Sequence, residues 1–553
     1  MPYRVAGVIR EVLLLEWAII ASGRTIEKMM NSGILPKRCA GLILAALLLA
    51  VPAGAQSSGV KRVAQSAATR RAALRFAKRV DTLLAAPPAN QANWGILVAD
   101  AKTGEALYAH DEKKLFIPAS NMKLFTTALA LATLGPEYRF HTTLETRARL
   151  LEKGRLDGDL VLVGRGDPNL SNRKFPFVEK PETDGPPEKV LAELADKLVA
   201  RGVREIGGDI VADDSYFPPG RYAPGWEIDD MVWEYGTAVS AIAVDDNTTL
   251  LTLSPGTREG DAVSATVEPK TEDFAVENGV TTSAAETKSD LVLTREPGAR
   301  LVVIRGTLPA GSAPRILVLA IEEPAEHAAG MLKRLLEERG VHVGGCARAK
   351  HAEDAVSGER MVLAEHISPP LAEALVPVNK MSINLHTEML LKAAVRQQGP
   401  WKKPEEVTDF AWQFYRAADI EEGDLVFTDG SGLSRGDLVT PRAVVTLLRY
   451  AQGQAWFPVY FASLPVAGQD GTLEDRMKDT QAAGRVHAKT GSHEHVAALS
   501  GYAETLGGRE VVFSIFANNA LKKSDAATTI DAICAAMVEE LGGRVKKQGK
   551  QTR

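Results

Sequence analysis

From position 146 to 354 the chain is a succession of short strand-like runs, among them LVLVG, EIGGDIVAD, SDLVLT and RLVVIRG. On either side, helical and strand-like patterns alternate. A block of about 210 residues is far too long for a connecting loop, so it must be a body with a core of its own. The flanks, 80–145 and 355–545, together supply about 260 residues, enough for one α/β (α+β) domain with a helical lobe. The expectation is a discontinuous domain carrying a β-rich insertion.

The 553 residues are 45% hydrophobic and 24% charged, an ordinary globular composition with room for two or more domains. A formal charge of −5 lacks the basic footprint of a nucleic-acid binder. Three cysteines, Cys39, Cys346 and Cys534, show no C-x-x-C spacing and form no disulfide framework. A Cys346–Cys534 bridge and two free thiols both remain open. His493-x-His495, with His487, is read as lying near a hairpin turn rather than as a metal pair, so no metal or cofactor is expected. GRGDPNL (164–170) lacks the helix-opening third glycine of a nucleotide loop.

At the N-terminus, Lys37 and Arg38 precede an apolar run, 40–51, and Ala53-Gly54-Ala55 follows it. A basic start, an apolar middle and a small-residue exit make residues 1–55 a leader with a signal peptide, cut before Gln56. The run is too short to span a bilayer, so no transmembrane segment follows cleavage, and the destination is the periplasm. Met29 and Met30 are alternative starts, and an uncleaved leader kept as an anchor is the competing reading. Without 1–55 the chain keeps 59 basic and 67 acidic side chains, a formal charge of −8. Residues 56–79 read as a polar segment and 546–553 as a solvated basic tail.

The quartet AKTG occurs twice, at 101–104 and 488–491. The first lies between Ile96, Val98 and Leu107, Tyr108, which predicts a hairpin tip with Gly104 at the turn. Next comes IPASNMKLFTTALALATLG, where Pro118 and Ser120 open a helix, Leu124, Ala128 and Leu131 form its apolar stripe, and Gly135-Pro136 ends it. Ser120 and Lys123 are three apart, on one face of the first turn. In VNKMSINLHTEMLLKAAV, Ser382 and Asn384 stand before an amphipathic helix through Leu385, Met389 and Ala393. Either residue could serve only as an N-cap. Finally, GRVHAKTGSHEHVAALSGY alternates as two strands, with Lys489 and Gly491 on one face. Glycine there lets a substrate backbone come close.

Each motif alone is weak, but S-x-x-K, S-x-N and K-T-G in that order are the set used by penicillin-binding proteins and serine β-lactamases. Only the second AKTG can supply the third element. Longer stretches extend the likeness: GRGDPNL, DDSYF (213–217), GWEIDD (225–230), DGSGLSRGDLVTPR (429–442) and LPVAGQDGTLEDRM (464–477). On these the chain resembles the D-alanyl-D-alanine carboxypeptidase/endopeptidase family of class C, low-molecular-mass penicillin-binding proteins, peptidase family S13. Ile383 and Ile228 depart from its usual pattern, at positions not expected to do chemistry.

The resemblance implies a penicillin-binding-protein/serine β-lactamase-like transpeptidase domain, split by two inserted β-rich domains within 146–354. It implies Ser120 as nucleophile, Lys123 as its base and Ser382 as proton relay. Asn384, Lys489, Thr490, Gly491 and Ser492 would bind substrate, with the Ser120 and Ser492 N–H groups as oxyanion hole. The implied partners are peptidoglycan stem peptides ending in D-Ala-D-Ala, D-Ala cross-links, and β-lactams. Lys123 must be neutral to act, which requires its pKa to fall about three units. A serine β-lactamase and a non-catalytic wall-binding module are the alternatives.

Overall fold

A computed structural model describes residues 67–268, 273–352, 359–401 and 403–542. The leader, its cleavage point and the basic tail lie outside the described residues. Five strands form the sheet of the split domain: β1 (Asn93–Asp100), β2 (Ala106–His110), β3 (Val486–His493), β4 (Val496–Glu504) and β5 (Glu510–Asn518). Their spatial order is β2-β1-β5-β4-β3, with every pair antiparallel. β1 and β5 are buried almost throughout, as central strands covered on both faces must be. β3 is an edge.

Among the helices that cover this sheet and build its lobe are α1 (Ala67–Ala85), α2 (Met122–Leu134), α3 (Asn384–Arg396), α4 (Pro404–Ala417) and α5 (Lys523–Glu540). On one face, Phe76 and Val80 of α1 and Ile530, Ile533 and Cys534 of α5 pack with Ile96, Val98, Phe513 and Ile515. On the other, Leu124, Phe125 and Ala128 of α2 share a core with Leu385 and Met389 of α3 and Tyr415 of α4. α2 is buried on all sides from Met122 to Leu131, not along a stripe alone.

The stretch expected as a polar segment up to 79 is helical from Ala67. Ala72, Phe76 and Val80 form a buried i, i+4, i+8 row, while Arg75 and Arg79 face outward to Glu540 and Glu539 of α5. The arginines interrupt an apolar face that Ala77, Leu83 and Leu84 extend.

The insertion has two cores. In the first, a five-stranded sheet runs in the order 347–350, 210–213, 160–163, 141–146, 361–367. Helices Lys189–Ala200 and Pro324–Glu338 pack on it through Leu191, Leu194, Leu332 and Leu336. This body therefore mixes helix with strand, which differs from the β-rich expectation. His141–Thr146 and Met361–Ile367 pair antiparallel with each other, so both chain crossings join the insertion's sheet. In the second, two three-stranded sheets close over Leu251, Leu253, Val302, Ile304 and Leu319. GRGDPNL ends in a strand, Asp167–Leu170, paired with Ile242–Val244. Cys346 is exposed in the insertion and Cys534 buried in α5, and both thiols are free. Among the described residues no helix is long and apolar enough to cross a membrane.

Candidate active site

Ser120 sits in a single 3-10 turn, Ala119–Asn121, that leads into α2, and Lys123 lies in the first turn of the helix. Their spacing brings Lys123 Nζ to 2.9 Å from Ser120 Oγ. Nζ also lies 2.5 Å from Asn384 Oδ1 and 2.8 Å from the Ser431 carbonyl oxygen. Those two oxygens can only accept. A neutral amine therefore gives both N–H groups to them and keeps its lone pair for the Ser120 hydroxyl. Burial pushes Lys123 down to about 7, against the opposing pull of Asp429 and Glu388. Its place at a helix N-terminus disfavours the ammonium further.

Ser382 precedes α3 in the left-handed region, at φ 63°. A non-glycine residue there costs about 1–2 kcal/mol and is kept only where the surroundings impose it. Neither Ser382 nor Asn384 caps the helix with its side chain. Instead the Ser382 hydroxyl accepts from Lys489 Nζ at 2.8 Å. Asn384 Oδ1 faces Lys123, while its Nδ2 donates to the Tyr235 carbonyl at 2.8 Å, a contact from the insertion. In this structure its amide bonds the protein's own groups rather than standing open for substrate.

β3 supplies the last group. Lys489 is fully buried, and its Nζ reaches Ser382 and the Thr490 carbonyl. Burial first, and the charge of Lys123 second, hold it well below the usual lysine range. Thr490 is half-buried and donates to Thr472 Oγ1 at 2.8 Å. Ser492 is exposed. The Ala488 N–H points away from β4 to the Pro465 carbonyl, so strand alternation sends the Thr490 and Ser492 N–H groups the same way.

Gly491 departs from expectation. A Cβ there would stand 2.4 Å from the Pro118 carbonyl and 2.9 Å from Asn121 Nδ2. Its missing side chain makes room for the turn that carries Ser120, not for a substrate backbone. Asn121 Nδ2 donates to the Lys489 carbonyl at 3.1 Å, tying that turn to β3. The sequence motifs thus converge: Ser120–Lys123–Asn384 and Ser382–Lys489 are two hydrogen-bonded groups side by side.

The three histidines noted in the sequence are separately engaged. His487 stacks on Phe461, His493 meets the Gly432 carbonyl at 2.9 Å, and His495 meets the Ala520 carbonyl at 2.8 Å.

Sequence reasoning missed several residues of the site. Asp429 accepts from Trp226 Nε1 and from the N–H groups of Gly432 and Ser434, shaping the 429–434 loop whose Ser431 carbonyl faces Lys123. At Gly432, φ +76°, a Cβ would fall 1.9 Å from the Ala119 carbonyl, so only glycine lets the loop pass the serine turn. Both lie in DGSGLSRGDLVTPR, which carried the resemblance but no assigned role. Thr472 lies in LPVAGQDGTLEDRM, which likewise had no assigned role, and Tyr235 had no local signal.

The family model described as "D-Ala-D-Ala carboxypeptidase 3 (S13) family" matches residues 76–539. A D-alanyl-D-alanine carboxypeptidase of Actinomadura sp. is 34% identical over 94% of this chain and 93% of its own. Among solved structures, penicillin binding protein 4 of Haemophilus influenzae superposes with TM-score 0.71 at 24% identity, covering 84% of this chain and 99% of that one. The same protein complexed with a β-lactam gives 0.66 at 24% identity, over 82% of this chain and 98% of that one. The fold is thus that of the penicillin-binding proteins, and the chain belongs to the D-Ala-D-Ala carboxypeptidase 3 (S13) family of enzymes.

Proposed function

We propose that this protein hydrolyses peptidoglycan stem peptides ending in D-Ala-D-Ala, and D-Ala cross-links, through an acyl-enzyme on Ser120. The observation that carries this reading is the buried amine of Lys123, 2.9 Å from Ser120 Oγ, with its other contacts pure acceptors. Ser120 attacks the penultimate D-Ala carbonyl as Lys123 takes its proton. Ser382, backed by Lys489, passes a proton to the leaving nitrogen. The Ser120 and Ser492 N–H groups receive the developing oxyanion. Water then attacks the ester, again with Lys123 as base.

Lys489 acts from behind Ser382, donating a hydrogen bond to its hydroxyl, while the half-buried Thr490 hydroxyl is the group placed to meet the terminal carboxylate. A β-lactam, whose carboxylate and strained carbonyl mimic that end, is the inhibitor expected. The name of the Actinomadura relative and the β-lactam complex of the Haemophilus protein support this chemistry. Export to the periplasm, as the pattern at 37–55 implies, brings the site to its substrate.

A labelled penicillin should acylate Ser120, as mapped on tryptic peptides, and Ser120→Ala should carry no adduct. The acylation rate should fall as pH drops through about 7, where Lys123 regains its proton. An adduct on another serine, or loss of the adduct within seconds, would overturn the peptidase reading; the second result would indicate a β-lactamase.

A further inference from the structure

Glu388 is a buried carboxylate that the mechanism above does not use. It lies one turn after Asn384 on α3, 3% exposed, and its Oε1 accepts the Ser431 N–H at 2.7 Å. The Ser431 carbonyl in turn accepts from Lys123 at 2.8 Å. Both acceptors that take the Lys123 N–H groups are therefore held by the same turn of α3, Asn384 directly and Ser431 through Glu388. The preceding residue is gripped as well: Thr126 Oγ1 of α2 donates to the Gly430 carbonyl at 2.7 Å. A Cβ on Gly430 would meet Leu391, Thr126 and Glu388 at 3.0–3.4 Å. The loop has little room to shift, so the Ser431 carbonyl is set by what holds its N–H.

We propose that Glu388 is a positioning residue for Lys123: through Ser431 it fixes the carbonyl that orients the amine, and its charge biases that amine's protonation. This rests on the reading of Lys123 as the base.

The groups around the pair leave few other charges. Lys392 of α3 is half-buried and held below its usual range by desolvation. Tyr415 of α4 and Asp437 of the loop are both pushed well up, by burial first. His493 of β3 is pushed down by burial. Asp429 of the loop and Lys489 of β3 complete the set. Glu388 itself is raised to about 7 by burial and then by Asp429. A cavity of about 400 Å³, lined by Tyr222, Trp401, Phe427, Lys392, Asp429 and Glu388, lies behind it.

Glu388→Gln keeps an acceptor oxygen for the Ser431 N–H and removes the charge. Because the carboxylate favours the protonated lysine, the acidic limb of penicillin acylation should move down by about half a pH unit or more. The plateau should fall by no more than about threefold. Glu388→Ala, which also loses the hydrogen bond, should lower the plateau about tenfold. An E388Q limb superimposed on wild type, whatever the melting temperature, overturns the proposal; if E388A fails to fold, E388Q still decides. The wild-type arm separates the two readings. If wild type shows no acidic limb, or penicillin labels a residue other than Ser120, the catalytic reading falls instead.

Discussion

Lys102 and Lys489 occupy the same place in the same quartet, AKTG, yet one side chain is 77% exposed at a turn and the other is fully buried beneath Ser382. The residue before each copy separates them. Asp100 precedes the first, and its Oδ1 accepts from the Lys102 N–H, the Thr103 N–H and the Thr103 hydroxyl. That side chain bends the chain locally, and Gly104 completes the turn at φ +73°. His487 precedes the second and stacks on Phe461, leaving the backbone free to pair with β4 from Val486 to His493. Four identical residues thus make a turn where a neighbour caps them and a strand where a partner strand is available.

The difference can be tested from its strongest side. Lys489→Ala should lower the second-order rate of penicillin acylation by roughly tenfold to 150-fold, the loss of a buried hydrogen bond to Ser382 worth about 1.5–3 kcal/mol. It should also weaken the preference for a free terminal carboxylate over its amide. A preference retained in full would assign the carboxylate wholly to Thr490 and Ser492.

The glycines come next. Gly491→Ala forces a methyl group against the Pro118 carbonyl, so it should cost about 1–3 kcal/mol and slow acylation by displacing the Ser120 turn. Gly104→Ala pays about 1–2 kcal/mol for a left-handed alanine against the Arg449 guanidinium, and acylation should be unchanged. Thermal unfolding alongside acylation kinetics separates the two. Equal slowing by both would erase the contrast.

The smallest effect belongs to Lys102→Ala. Its contact with Glu510, at 3.8 Å between exposed groups, contributes little, and acylation should stay within about twofold. A tenfold loss would show that the first copy reaches the cleft.

Much of the site was legible because it is local. Ser120 and Lys123 share a helix turn at i, i+3, and Val486–Ala488 and Val496–Ala498 alternate as strands do. What escaped was non-local. Ser431 reaches Lys123 from a loop that Asp429 and Glu388 hold by hydrogen bonds, and Tyr235 meets Asn384 from within the insertion. The helices at 189–200 and 324–338 carry apolar stripes at helical spacing, such as Leu191, Leu194 and Leu198, that the strand-like runs around them overshadowed. α1 was hidden by its arginines.

The sequence by itself determined the order of the three motifs, the split of the chain around an inserted block, and the identity of the groups able to take or give a proton. These depend on residue type and on spacing within one turn or strand, where sterics act over a few residues. Only the tertiary structure decided which groups meet. A buried lysine gives up its proton more readily because water is excluded on every side at once, and a glycine becomes indispensable because a distant carbonyl occupies its place. Both are properties of packing between segments far apart in the chain, and no single segment encodes them.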